Sequence, residues 1–150
     1  MQPLLRDAGS VQLHARIETP VKPLQCVPYA RQVSGIQIRG DARTWWRQAE
    51  GRYRRDNRPA VGAVLALKPR GASRGHVAVV TDILNPREIV VEHANWLNRG
   101  RIHKNTPVLD VSPNNDWSAV RVWYVPGQRY GASTYRAYGF IHPGTVTASR

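Results

Sequence analysis

At 150 residues the chain has room for one domain around one sizeable core. Its 41% hydrophobic and 21% charged residues match an ordinary globular domain rather than a disordered or fibrous chain. A single cysteine, Cys26, excludes an internal disulfide and multi-cysteine zinc or iron–sulfur sites. The net charge of +12, from 22 Lys and Arg against 10 Asp and Glu, favours a polyanionic partner: nucleic acid, an anionic cell-wall polymer or a membrane surface. Arg52, Arg54, Arg55 and Arg58 form the densest basic run, either a solvated face or a polyanion contact. No apolar run is long enough to span a bilayer, and "MQPLLRDAGS" lacks the features of a secretory signal.

Residues 1–20 carry Pro3 and Pro20 with little periodicity and read as an extended or mobile lead-in, followed by a domain over 21–143 and a tail over 144–150. Val27, Ala30 and Val33, with Tyr29 beside Val33, predict a helix whose first turn accepts Pro28 and whose stop is Gly35. Cys26 then lies at a helix N-terminus. Asp41 and the spacing of Ala42, Trp45, Trp46, Ala49 and Tyr53 predict a second helix capped by the aspartate. The adjacent tryptophans read as core, or alternatively as a stacking face for a sugar or nucleobase.

Beyond "NRPA" the period changes from that of helices to that of strands. "VGAVLAL" (61–67), "HVAVVTDIL" (76–84), "EIVVEHANW" (88–96), "SAVRVWYV" (118–125) and "YRAYGFI" (135–141) are short and β-branched, and Asn85-Pro86 marks a reversal. Helices first and strands afterwards predict an α+β domain with a meandering antiparallel sheet.

A cysteine becomes a good nucleophile as thiolate, which a helix N-terminus favours through its unpaired N–H groups. It also needs an imidazole within reach and a polar group to orient that ring. His76 opens a strand, and His93 and Asn95 share one face near the end of the next. Pairing around Asn85-Pro86 makes residue numbers across the ladder sum to about 171, which sets Asn95 opposite His76 as a hydrogen-bond acceptor for the ring. Glu92 points away from that face. The competing reading makes Cys26 a small buried core residue. His14, His103 and His142 show no convergent spacing and read as surface or loop residues. No HExxH, GxSxG, GxxxxGK[ST] or GxGxxG motif occurs, so neither a metal nor a cofactor is expected.

"QCVPYARQ", "GDARTWWRQA", "PAVGAVLAL", "GHVAVV", "VVEHANW" and "YGFIHP" occur in the order found in CHAP domains, the cysteine- and histidine-dependent amidohydrolase/peptidase family. The resemblance covers roughly residues 21–143. It implies a papain-like fold, Cys26 as nucleophile, His76 as general base, and hydrolysis of a peptidoglycan amide through a thioester. Where CHAP domains commonly carry Glu-x-Asn-Trp, this chain reads His93-Ala94-Asn95-Trp96, so His93 stands at the usual glutamate and Asn95 keeps its place. The Asp-rich calcium loop of some members is missing from the sequence. Peptidoglycan is the implied partner, nucleic acid is not, and the protein is expected to act as a monomer outside the cell or at the wall. Acyl or peptidyl transfer on the same thioester, and a non-enzymatic basic module binding nucleic acid or wall polymer, are the rival readings.

Overall fold

The computed structural model describes residues 8–97 and 99–145 of the chain. In chain order its elements are α1 (Ala8–His14), β1 (Arg16–Glu18), α2 (Cys26–Ser34), α3 (Trp45–Gln48), β2 (Tyr53–Asp56), β3 (Val64–Leu67), β4 (His76–Asn85), β5 (Glu88–Ala94), β6 (Ile102–Asp110), β7 (Ala119–Tyr124), β8 (Arg129–Tyr130) and β9 (Tyr135–Thr145).

Strands β3 to β7 run as an antiparallel meander, and β9 pairs with both β3 and β7, so six strands close into a barrel. The strands β3, β4, β5, β7 and β9 were legible from sequence; β6, which completes the meander, and the closure were not. Alternation along each strand sends one set of side chains inward. Leu65, Val80, Val91, Val108, Val122 and Phe140 fill the interior, and Trp117 meets Phe140 edge-on at 5.8 Å. Burying each such aliphatic side chain contributes roughly 1.5–3 kcal/mol. On the outer face, Val64, Val77, Val79 and Ile141 pack against Ala30, Ile36, Ile38, Trp45 and Ala49 from the helical segment. The helices therefore sit on β3, β4 and β9, and the mixed architecture suits the α+β class.

Three expectations need correction. Residues 8–18 are not an extended lead-in: Val11 of α1 is buried, and β1 pairs with β6 from Arg16↔Lys104 to Glu18↔Ile102. One buried apolar side chain and a three-residue strand leave almost no periodic trace. The predicted tryptophan helix is a 3-10 turn over Ala42–Thr44 followed by the single turn of α3. Gly51, at φ 74, ends it in the left-handed region, and Tyr53 starts β2, its hydroxyl accepting the Gln37 N–H at 3.0 Å. Asp41 caps nothing with its side chain. On α2, Tyr29 and Ala30 face the core but Val33 is exposed. Gly35 ends α2 as expected, at φ 79 with its N–H bonded to the Arg31 carbonyl.

Candidate active site

Cys26 is the first residue of α2, preceded by Gln25 in extended conformation. The helix lies against β4 and β5, anchored where the Tyr29 hydroxyl donates to Glu92 Oε2 at 3.1 Å. His76 begins β4 immediately after Gly75, whose φ is 88. A Cβ at that glycine would lie 3.0 Å from both the Arg43 nitrogen and the Leu67 carbonyl oxygen, so the chain enters β4 through a passage only glycine fits. Cys26 and His76 line one cleft of about 710 Å³ at the barrel rim, together with Gln25, Asn95, Trp96 and Tyr135.

His76 shares the inward face of β4 with Ala78 and Val80, and His93 that of β5 with Val91. Val79↔Glu92 and Val80↔Val91 hold the predicted register, with bulges nearer the turn. His76 nevertheless meets its diagonal neighbour: His76 Nε2 lies 2.7 Å from His93 Nδ1. Trp96 covers both rings, with centroids 4.7 Å from His76 and 5.3 Å from His93. Asn95 does not hydrogen-bond His76, contrary to the sequence expectation. The strand ends at Ala94, and Asn95 turns out of it at φ 62. Its Nδ2 donates to Gln25 Oε1 at 2.8 Å and its Oδ1 accepts the Gly100 N–H at 2.8 Å. Asn95 thus ties the loop after β5 to the residue preceding Cys26. Glu92 faces α2 from the other side of β5, as expected.

The electrostatics differ from the simple helix-dipole expectation. Burial pushes the Cys26 thiol above its ordinary pKa, outweighing the N–H groups of Val77, Cys26 and Val27 that favour thiolate. Burial, with the field of His103 added, lowers His76 to about 3, and His93 is held well below the usual imidazole value by the same desolvation and by both neighbouring rings. Thiol and imidazole are both uncharged at neutral pH.

Two histidines read as surface or loop residues are buried. His103 lies on β6 directly opposite His93, and His142 on β9 contacts Asp56 Oδ1 through Nε2 at 2.7 Å; His14 is exposed. The basic run is partly consumed in packing. Arg55 bonds the Trp46 carbonyl and lies 4.9 Å above that ring, and Arg52 bonds the Gln37 carbonyl. Trp45 is core, while half-buried Trp46 stacks on Tyr138 at 6.1 Å. The cations that do line the cleft, Arg70 and Arg74, come from the turn before Gly75, where "KPRGASRGH" shows only basic loop residues.

A cysteine at a helix start and a histidine at a strand start thus line one cleft beside a small barrel. The model of the CHAP domain family matches residues 18–95, from β1 through Asn95, and the chain belongs to that family. A search of curated proteins finds no match.

Proposed function

We propose that the protein hydrolyses an amide bond of peptidoglycan, either between sugar and stem peptide or within the peptide, with Cys26 as nucleophile and His76 as general base. The observation that carries this reading is the shared cleft of Cys26 and His76, with His76 Nε2 engaged by His93 so that Nδ1 is the nitrogen left for chemistry. In this reading His76 donates its Nε2–H to His93 Nδ1. Because thiol and imidazole start uncharged, the Sγ proton passes to His76 Nδ1 as sulfur attacks the substrate carbonyl. The imidazolium then protonates the leaving amine as the C–N bond breaks. Water, deprotonated by His76, cleaves the thioester and restores the thiol.

The Cys26 backbone N–H is the natural donor to the tetrahedral oxyanion. Asn95 occupies Gln25 Oε1, which leaves the amide N–H groups of Gln25 as further donors beside the nucleophile. His93 orients the base; Asn95 acts on the oxyanion side instead. The +12 charge and the arginines of the cleft suit an anionic wall, which supports a place of action outside the cytoplasm, at the cell wall. Among the described residues no helix is long and apolar enough to cross a membrane.

Digestion of purified peptidoglycan, read by mass spectrometry of new amino termini and reducing ends, tests the proposal. Wild type should release fragments and Cys26→Ala none, with a loss of at least about a thousandfold. Equal cutting by both would rule out the nucleophile assignment.

A further inference from the structure

The histidine contact at the cleft does not end at His93. For His76 to receive a proton at Nδ1 it must carry its resting proton at Nε2, where His93 Nδ1 accepts it. His93 is then obliged to carry its own proton at Nε2. That nitrogen is buried and has no hydrogen-bond partner, and the same is true of His103 Nδ1. A buried donor left unpaired costs about 1–3 kcal/mol, so two orphans side by side are a pair awaiting each other. His103 is directly opposite His93 across the β5–β6 ladder, and the two rings lie 5.2 Å apart at 70°. At that spacing, nitrogens turned toward one another are within reach of a hydrogen bond or of one bridging water. His103 also borders a second cavity of about 280 Å³, alongside Ile17, Arg101 and Tyr124. Three imidazoles on neighbouring strands β4, β5 and β6 therefore run from the cleft to a separate hollow.

We propose that His103 is a positioning residue for the general base: its Nδ1 accepts the His93 Nε2–H, directly or through one buried water, and this fixes the tautomers of His93 and His76 so that the His76 Nδ1 lone pair stays open to the cleft. An ionised glutamate in the third position of such sites can only accept, and an asparagine keeps its acceptor oxygen distinct from its donor NH2. A histidine there has neither property, because either ring nitrogen can hold the proton. His103 removes that ambiguity. The inference rests on the catalytic reading above for its kinetic consequence, but the tautomers are a property of the free protein.

The test uses the full-length, ¹⁵N-labelled chain at pH 7.5, with long-range ¹H–¹⁵N imidazole spectra alongside peptidoglycan hydrolysis. In wild type, His76 and His93 should each show a protonated Nε2 and a bare Nδ1. His103→Leu, which removes the acceptor, should give mixed tautomers on both rings and lower kcat by about ten- to hundredfold with KM little changed. His103→Asn, whose Oδ1 can accept, should restore a single tautomer and most of kcat, whereas His103→Phe, which keeps a buried ring, should behave like the leucine variant. Wild-type His93 protonated at Nδ1, unaltered tautomers in His103→Leu, or equal rescue by phenylalanine and asparagine would each overturn the proposal. Should the leucine variant fail to fold, the wild-type spectrum and the asparagine–phenylalanine comparison decide it. Tautomers as expected in a protein that leaves peptidoglycan intact would support the positioning role and reject the substrate.

Discussion

Gly75 controls where His76 stands. Its φ of 88 and the 3.0 Å approach of the Arg43 nitrogen and the Leu67 carbonyl leave no room for a methyl group. Gly75→Ala should cost about 1–3 kcal/mol in backbone strain, with a further loss as the 3-10 turn is pushed from β4. Gly71, at φ 58 with nothing within 4 Å, is the comparison: Gly71→Ala carries strain without the clash. Thermal melts and kcat measured on both should show a larger drop in each quantity for Gly75→Ala. At this scale the place of Cys26 at a helix start was legible, because one cysteine stands before a proline and a glycine that bracket a helix. The place of His76 as the first residue of a strand was legible too. The partner of the His76 ring was less so: extrapolating the ladder put Asn95 beside His76, and no composition rule reveals that Asn95 takes a left-handed conformation which turns it toward Gln25.

Helix α2 owes its position on the sheet partly to one long-range hydrogen bond, from Tyr29 to Glu92, which spans 63 residues of sequence. Partial burial first, and then the neighbouring Glu92 carboxylate, hold the Tyr29 phenol in its protonated, donating form. Tyr29→Phe should destabilise the fold by about 1–2 kcal/mol, the usual loss for a hydrogen bond to a charged group that keeps some solvent. Urea denaturation measures that cost. A parallel drop in kcat that exceeds any change in KM would show that the helix had carried Cys26 out of line. Among the elements, β3, β4 and β5 announced themselves by β-branched runs and a sharp reversal. β6 did not: "IHKNTPVLD" mixes a proline, a lysine and an asparagine into a strand that bends at Asn105, φ 48. Missing β6 also hid His103, since a histidine outside any recognised strand has no face.

Across the molecule, buried imidazoles make the fold sensitive to acid. His76 and His103 have pKa values near 3 and 4 in the folded chain against 6.5 when unfolded, and His93 is lowered as well. Between these limits the unfolded chain takes up protons that the native one refuses, so stability is complete above about pH 6.5 and falls as pH drops. For His76 alone the loss is about 2 kcal/mol at pH 5. Melting temperatures should be level from pH 7 to 8 and decline steadily below 6.5, and a His93→Leu, His103→Leu double variant should flatten that decline. A melting temperature independent of pH down to 4.5 would contradict the burial of these rings.

The closing stave of the barrel is the last one made. Cys26 precedes every strand of the barrel in the chain, but Tyr135, which lines the same cleft, arrives only with β9. A nascent chain therefore carries Cys26 long before the cleft around it has its full lining, which is complete only once β9 has been made and docked.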